Sequence, residues 1–103
     1  MAELELEDLG DVFEEVFEAR SKWYNIGLKL KVPVGSLETI KGENDDAADC
    51  LREMLKISLK SISHKLTWMS LVEALKSQTV GEFPLADRVK TKYCSMKHGV
   101  SIL

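Results

Sequence analysis

Apolar residues recur along this chain at the spacing of an α-helix, in six successive groups. Leu9, Val12, Phe13, Val16 and Phe17 stand at i, i+3, i+4, i+7 and i+8, which predicts a first helix over 9–20 with all five facing a core. Trp23, Ile26 and Leu30, widened by Tyr24 and Leu28, predict a second helix from about 21 to 31, with Ser21 as its N-cap and Pro33 as its stop. Gly27 inside that helix costs about 1 kcal/mol relative to alanine, so a close neighbouring helix is expected at that point. Val34, Leu37 and Ile40 predict a short third helix over 34–41, turned inward on those three residues, with Gly42 as its left-handed exit. The stretch from Trp23 to Ile40 thus predicts two apolar helices at a tight corner, around which the rest of the chain is expected to pack.

The fourth group predicts the longest helix, about 46–63, capped by Asn44 or Asp45. Its inward positions are Ala48, Leu51, Leu55, 58 and Ile62, with Met54 and Leu59 on the flanks. Position 58 is serine, a small hydroxyl in an apolar stripe, and a bond back to the Met54 carbonyl would satisfy it. Thr67 suits the N-cap of a fifth helix, with Leu66 and Leu71 placed to form a hydrophobic staple and Trp68, Leu71, Val72 and Leu75 as its apolar stripe. Pro84 suits the first turn of a sixth helix, whose inward residues are Leu85, Ala86, Val89 and Tyr93. No run alternates with period two for the length of a strand, and no 20–50-residue unit repeats, so the fold class is all-α.

Composition narrows the picture. A chain of 103 residues, 45% hydrophobic, forms one domain with a core that needs neither metal nor disulfide. No apolar run approaches the roughly 20 residues of a membrane span, so no membrane insertion is expected. Acid follows Met1 where a secretory signal carries base, and a cytoplasmic location is expected. Cys50 and Cys94, far apart and without a nearby Cys or His at ligand spacing, read as two independent thiols of a reducing compartment.

The net charge of −3 conceals an asymmetry. Residues 1–18 carry eight acids and no base; the remainder carries nine acids and fourteen bases. An acidic end and a basic end argue against nucleic acid, whose binders concentrate base on one face. No nucleophile arrangement, phosphate loop or metal motif accompanies His64 or His98, and His64 falls in a polar loop where it is expected to be solvated. An enzyme is not expected, nor a cofactor, a metal or a small-molecule substrate.

The ordered set Trp23-x-x-Ile26-Gly27-x-x-Leu30, Leu37-x-x-Ile40, Cys50-Leu51-x-x-Met54-Leu55, Thr67-Trp68-x-x-Leu71-x-x-Ala74-Leu75 and Leu85-Ala86-Asp87-Arg88-Val89 resembles a death domain. The resemblance covers 9–93, leaving 1–8 as an acidic lead and 94–103 as a tail. It implies an antiparallel six-helix bundle of Greek-key death fold and homotypic binding in intracellular signalling of the apoptotic or innate-immune type. The chain departs from the family pattern at Ser58, where tryptophan is frequent, and at Leu66, where proline or alanine is. A packing defect is therefore expected at position 58, and Ser58→Trp is expected to raise the melting temperature.

Assembly needs surfaces. The acidic face Glu14, Glu15 and Glu18 is one candidate, since Glu18 in the last turn of its helix is not explained by the helix dipole. Lys29, Lys31 and Lys41 are its expected basic counterpart, with Lys56 and Lys60 as further candidates. The partners implied are other death-domain proteins and further copies of the chain. The alternative is a monomeric structural helical module of a scaffold or receptor, whose charged faces are simply solvated.

Overall fold

The computed structural model describes residues 3–94. They form an all-helical domain, with no strand among the described residues. A 3₁₀ turn, Leu6–Asp8, leads into α1, Leu9–Val16. The chain then passes through a 3₁₀ stretch, Phe17–Lys22, into α2, Trp23–Lys29, and through α3, Val34–Glu43. The remaining helices are α4, Ala47–Lys60, α5, Trp68–Lys76, and α6, Phe83–Val89, followed by a π-helical turn, Lys90–Cys94.

Helix α4 is the hub. It packs against α1, α2 and α3 and also against both 3₁₀ segments, while α5 packs on α2 and α6. Leu51, Met54 and Leu55 of α4 are fully buried beside Val12, Val16, Ile26 and Leu37. The corner from Trp23 to Ile40 is therefore one wall of the core rather than its centre. Leu37 and Ile40 hold α3 to it, while Val34, expected inward, is 55% exposed. The approach expected at Gly27 is present, because a Cβ there would stand 2.7 Å from Leu37 Cδ2 and 3.0 Å from Met54 Cγ.

Where α1 ends differs from the periodicity, and the reason is geometric. The first helix does not continue to 20; Ala19 has a non-helical backbone and the chain tightens to 3₁₀ form. Three residues per turn instead of 3.6 rotate the inward face, so Ala19 turns into the core and Phe17 turns out. Phe17 then meets Phe13 edge to face at 5.3 Å and lies under the Arg20 guanidinium. Ser21 is inside this stretch and does not cap α2, whose N-cap position is Lys22.

The stop of α2 is a Schellman motif. The Val32 amide donates to the Gly27 carbonyl at 3.0 Å and the Lys31 amide to that of Leu28 at 3.2 Å. Lys31 holds the left-handed position with φ 70°, a place glycine takes at lower cost. Gly42, expected to serve such an exit for α3, is instead helical, and Asn44 ends the helix by donating from Nδ2 to the Ile40 carbonyl at 3.0 Å. With Asn44 so engaged, α4 starts after Asp46, and neither Asn44 nor Asp45 caps it.

Helix α4 stops at Lys60, short of 63, which leaves Ile62 90% exposed rather than inward. Ala48 is only half-buried. Ser58 is 2% exposed, as the stripe predicts, but its hydroxyl makes no hydrogen bond among the described residues, so the expected bond to the Met54 carbonyl is not formed.

The later elements follow the sequence closely, except that α6 ends at Val89 and Tyr93, expected to face inward on it, lies half-buried in the π turn that follows. Thr67 and Ser70 form a reciprocal capping box at α5, with bonds of 3.0 and 2.8 Å, and Leu66 and Leu71 are buried there as a staple requires. Pro84 sits in the first turn of α6. The acidic lead is part of the fold: Leu4 is buried and its amide donates to the Leu66 carbonyl at 2.7 Å. Cys50 and Cys94 are free and buried. The expected tail over 94–103, Cys94 apart, lies outside the described residues, as does His98.

Candidate interaction surfaces

Acid in α1 and in the 3₁₀ stretch after it meets base in α6 and in the π turn after that, far apart in sequence. Tyr93 donates its hydroxyl to Glu15 Oε2 at 2.8 Å, and Lys92 Nζ reaches the same oxygen at 2.5 Å. One helical turn on, Arg88 pairs with Glu18. The Tyr93 ring stacks on Trp68 with centroids 3.8 Å apart and planes at 7°, which fixes the phenol where Glu15 can use it.

Burial pushes the Glu15 carboxyl up, but the hydrogen bonds from Lys92 and Tyr93 and the charges of Lys92 and Arg88 outweigh it, so its pKa lies below the ordinary value. The Lys92 ammonium is held above its ordinary value chiefly by the bond to Glu15. Burial and the bond to Glu15 raise Tyr93 likewise. Two of the three acids expected on a docking face are thus engaged within the molecule. Glu14 remains exposed, and Glu7 and Asp11 precede it at i−7 and i−3, none of them with a partner among the described residues.

The basic candidates divide in the same way. Lys56 pairs with Glu53 at 3.2 Å on its own helix. Lys41 sits 6.0 Å from the Tyr24 ring, whose hydroxyl donates to Glu38. Lys29, Lys31 and Lys60 are exposed with no hydrogen bond or ion pair among the described residues. Lys31 and Lys60 line one concavity of about 310 Å³, between the end of α2 and the end of α4. Lys29 and Lys31 line a second, of about 270 Å³, with His64 and Lys65 on its other side. The structure therefore gathers Lys29, Lys31 and Lys60 at one corner and leaves Lys41 and Lys56 outside the lining of either concavity.

Sequence reasoning missed Lys65 and His64 as neighbours of this corner, because the turn 61–66 that delivers them has no periodic pattern. It also missed Lys22, which crosses the fold to donate to the Val80 carbonyl at 2.6 Å and to pair with Glu82 at 3.2 Å. Among the described residues no group of three His, Cys, Asp or Glu side chains could hold a metal ion, and no helix is long and apolar enough to cross a membrane. No family model, curated protein or solved structure matches the chain.

Proposed function

We propose that the chain is a non-catalytic, cytoplasmic interaction module of the death-domain kind, an antiparallel six-helix Greek-key bundle that assembles with other death-domain proteins or with copies of itself. The observation that carries this reading is the basic corner at the end of α2. Lys29, Lys31 and Lys60 stand there with no partner among the described residues, whereas Glu15 and Glu18 are paired with Lys92 and Arg88. Lys31 occupies a left-handed position where glycine would cost about 1 kcal/mol less, and it places a cation at the surface of that corner.

Support for the fold comes from burial: of the motif residues, Trp23, Ile26, Gly27, Leu30, Leu37, Ile40, Cys50, Leu51, Met54, Leu55, Leu71, Ala74, Leu75, Leu85, Ala86 and Val89 all lie in the core. The partner surface is the unpaired acid of α1, Asp11 and Glu14, on a neighbouring molecule. Because the acidic and basic patches lie on different elements, the contact is heterologous and extends from one copy to the next.

Light scattering against concentration tests this. Apparent mass is expected to rise with concentration at low salt and to fall back at high salt, since the Debye length shrinks from about 30 Å at 0.01 M to 3 Å at 1 M. Glu14→Lys and Lys31→Glu should each abolish the rise, and mixing the two variants should restore a dimer. Glu18 is unsuitable for charge reversal, because the change would also break its pair with Arg88. A monomer under every condition, alone and with death-domain partners, overturns assembly and leaves a monomeric structural module of a scaffold or receptor.

A further inference from the structure

The concavity between α2 and α4 has an origin within the fold. The apolar stripe of α4 runs through Leu51 and Leu55 to position 58, where the helix faces inward and a large apolar side chain is due. Ser58 fills only a fraction of that place, and it lines a space of about 310 Å³. Leu30, Val32 and Ile57 supply apolar wall. Lys31 and Lys60 add two cations with no partner among the described residues. The Ser58 hydroxyl is buried with no hydrogen-bond partner among the described residues, a state that costs about 1–3 kcal/mol in a native core.

We propose that this concavity binds a small amphipathic carboxylate, an aromatic ring or short hydrocarbon carrying one acid group. The volume lies at the low end of small-molecule sites, which run from about 300 to 1,000 Å³, so a single ring with a short chain fits and a larger ligand does not. The apolar wall takes the ring, and the carboxylate lies between the ammonium groups of Lys31 and Lys60. A neutral ligand would leave both cations without an anion and gain only from the apolar wall. The site shares Lys31 and Lys60 with the assembly corner, but binding requires no second copy of the chain, so a monomeric outcome in light scattering leaves it standing.

The probe is 3-phenylpropionate, titrated at low salt into the isotope-labelled full chain and followed by amide chemical shifts, with 3-phenylpropanol as the neutral control. Shifts are expected over residues 30–33 and 57–61, with a dissociation constant of the order of a millimolar for so few atoms. The alcohol should bind about fivefold more weakly, and Lys31→Gln with Lys60→Gln should bring the acid down to the alcohol's affinity without changing the alcohol's. Ser58→Leu should remove binding of both. Equal affinity for acid and alcohol, shifts scattered over other elements, or unchanged binding by a folded Ser58→Leu variant would each overturn the proposal. Because the lysines are exposed, their double variant folds even where Ser58→Leu does not, and it decides the matter alone.

Discussion

Tyr93 and Glu15, seventy-eight positions apart, share a hydrogen bond of 2.8 Å that joins the end of the fold to its beginning. Three contacts converge on it: the stack of Tyr93 on Trp68, the Lys92 ammonium on the same carboxylate, and the Arg88–Glu18 pair one turn along. Part of a charge asymmetry that read as two separate binding ends is thereby satisfied within the molecule. It fastens α1 to the turn after α6.

Removing the phenolic hydroxyl isolates one strand of this fastening. Tyr93→Phe keeps the stack on Trp68 and should cost about 1 kcal/mol of stability, whereas Tyr93→Ala loses stack and bond together and, for a half-buried ring, should cost about 2–3 kcal/mol. Urea unfolding of the three proteins measures both. Equal losses would show that the hydroxyl, and not the ring, does the fastening.

The same carboxylate gives the fold a pH dependence with a definite sign. The folded pKa of Glu15 is lowered, so the unfolded chain binds more protons through that region. The contribution is complete above the unfolded value near 4.5 and is lost as the pH falls through the folded one. Stability of the wild type should therefore fall more steeply below pH 4.5 than that of Glu15→Gln, which starts lower at pH 7. Parallel acid limbs in urea titrations would refute the linkage.

Ser58 should respond to substitution in the direction opposite to most core residues. Ser58→Ala removes a hydroxyl buried without a partner and should gain about 1–2 kcal/mol, or some 4–8 °C in melting temperature for each kcal/mol. Ser58→Leu or Ser58→Trp also fills the space beside it and should gain at least as much, provided the added volume does not exceed the concavity. A lower melting temperature for Ser58→Ala would mean that the hydroxyl is bonded after all.

Lys31 separates stability from binding. Lys31→Gly relieves the left-handed backbone and should stabilise the fold by about 1 kcal/mol, while weakening salt-dependent assembly by removing one cation of the corner. Thermal unfolding and light scattering on the same preparation read the two effects. A variant both more stable and undiminished in assembly would place the binding surface elsewhere.

The amino-acid sequence alone determined the helical class, the burial of Trp23, Ile26, Leu37, Leu51 and Leu55, the Thr67 cap, the Pro84 start and the close approach at Gly27. These depend on periodicity and on local chemistry, which act over a few residues and can be read within a window of that size. Even Ser58 was legible, because a small hydroxyl interrupts a regular apolar stripe wherever the helix packs. Tertiary structure decided the rest. It turned Phe17 out by tightening the chain to 3₁₀ form, left Ile62 in solvent by ending α4 at Lys60, and moved Asn44 from the start of one helix to the end of another. Above all it chose which charges are free. Glu15, Glu18 and Glu14 are alike in sequence, and only the placement of Tyr93, Lys92 and Arg88 beside α1 ties down the first two and leaves the third exposed. A charge finds its partner through space, at separations of seventy residues and more, and no pattern along the chain encodes that distance.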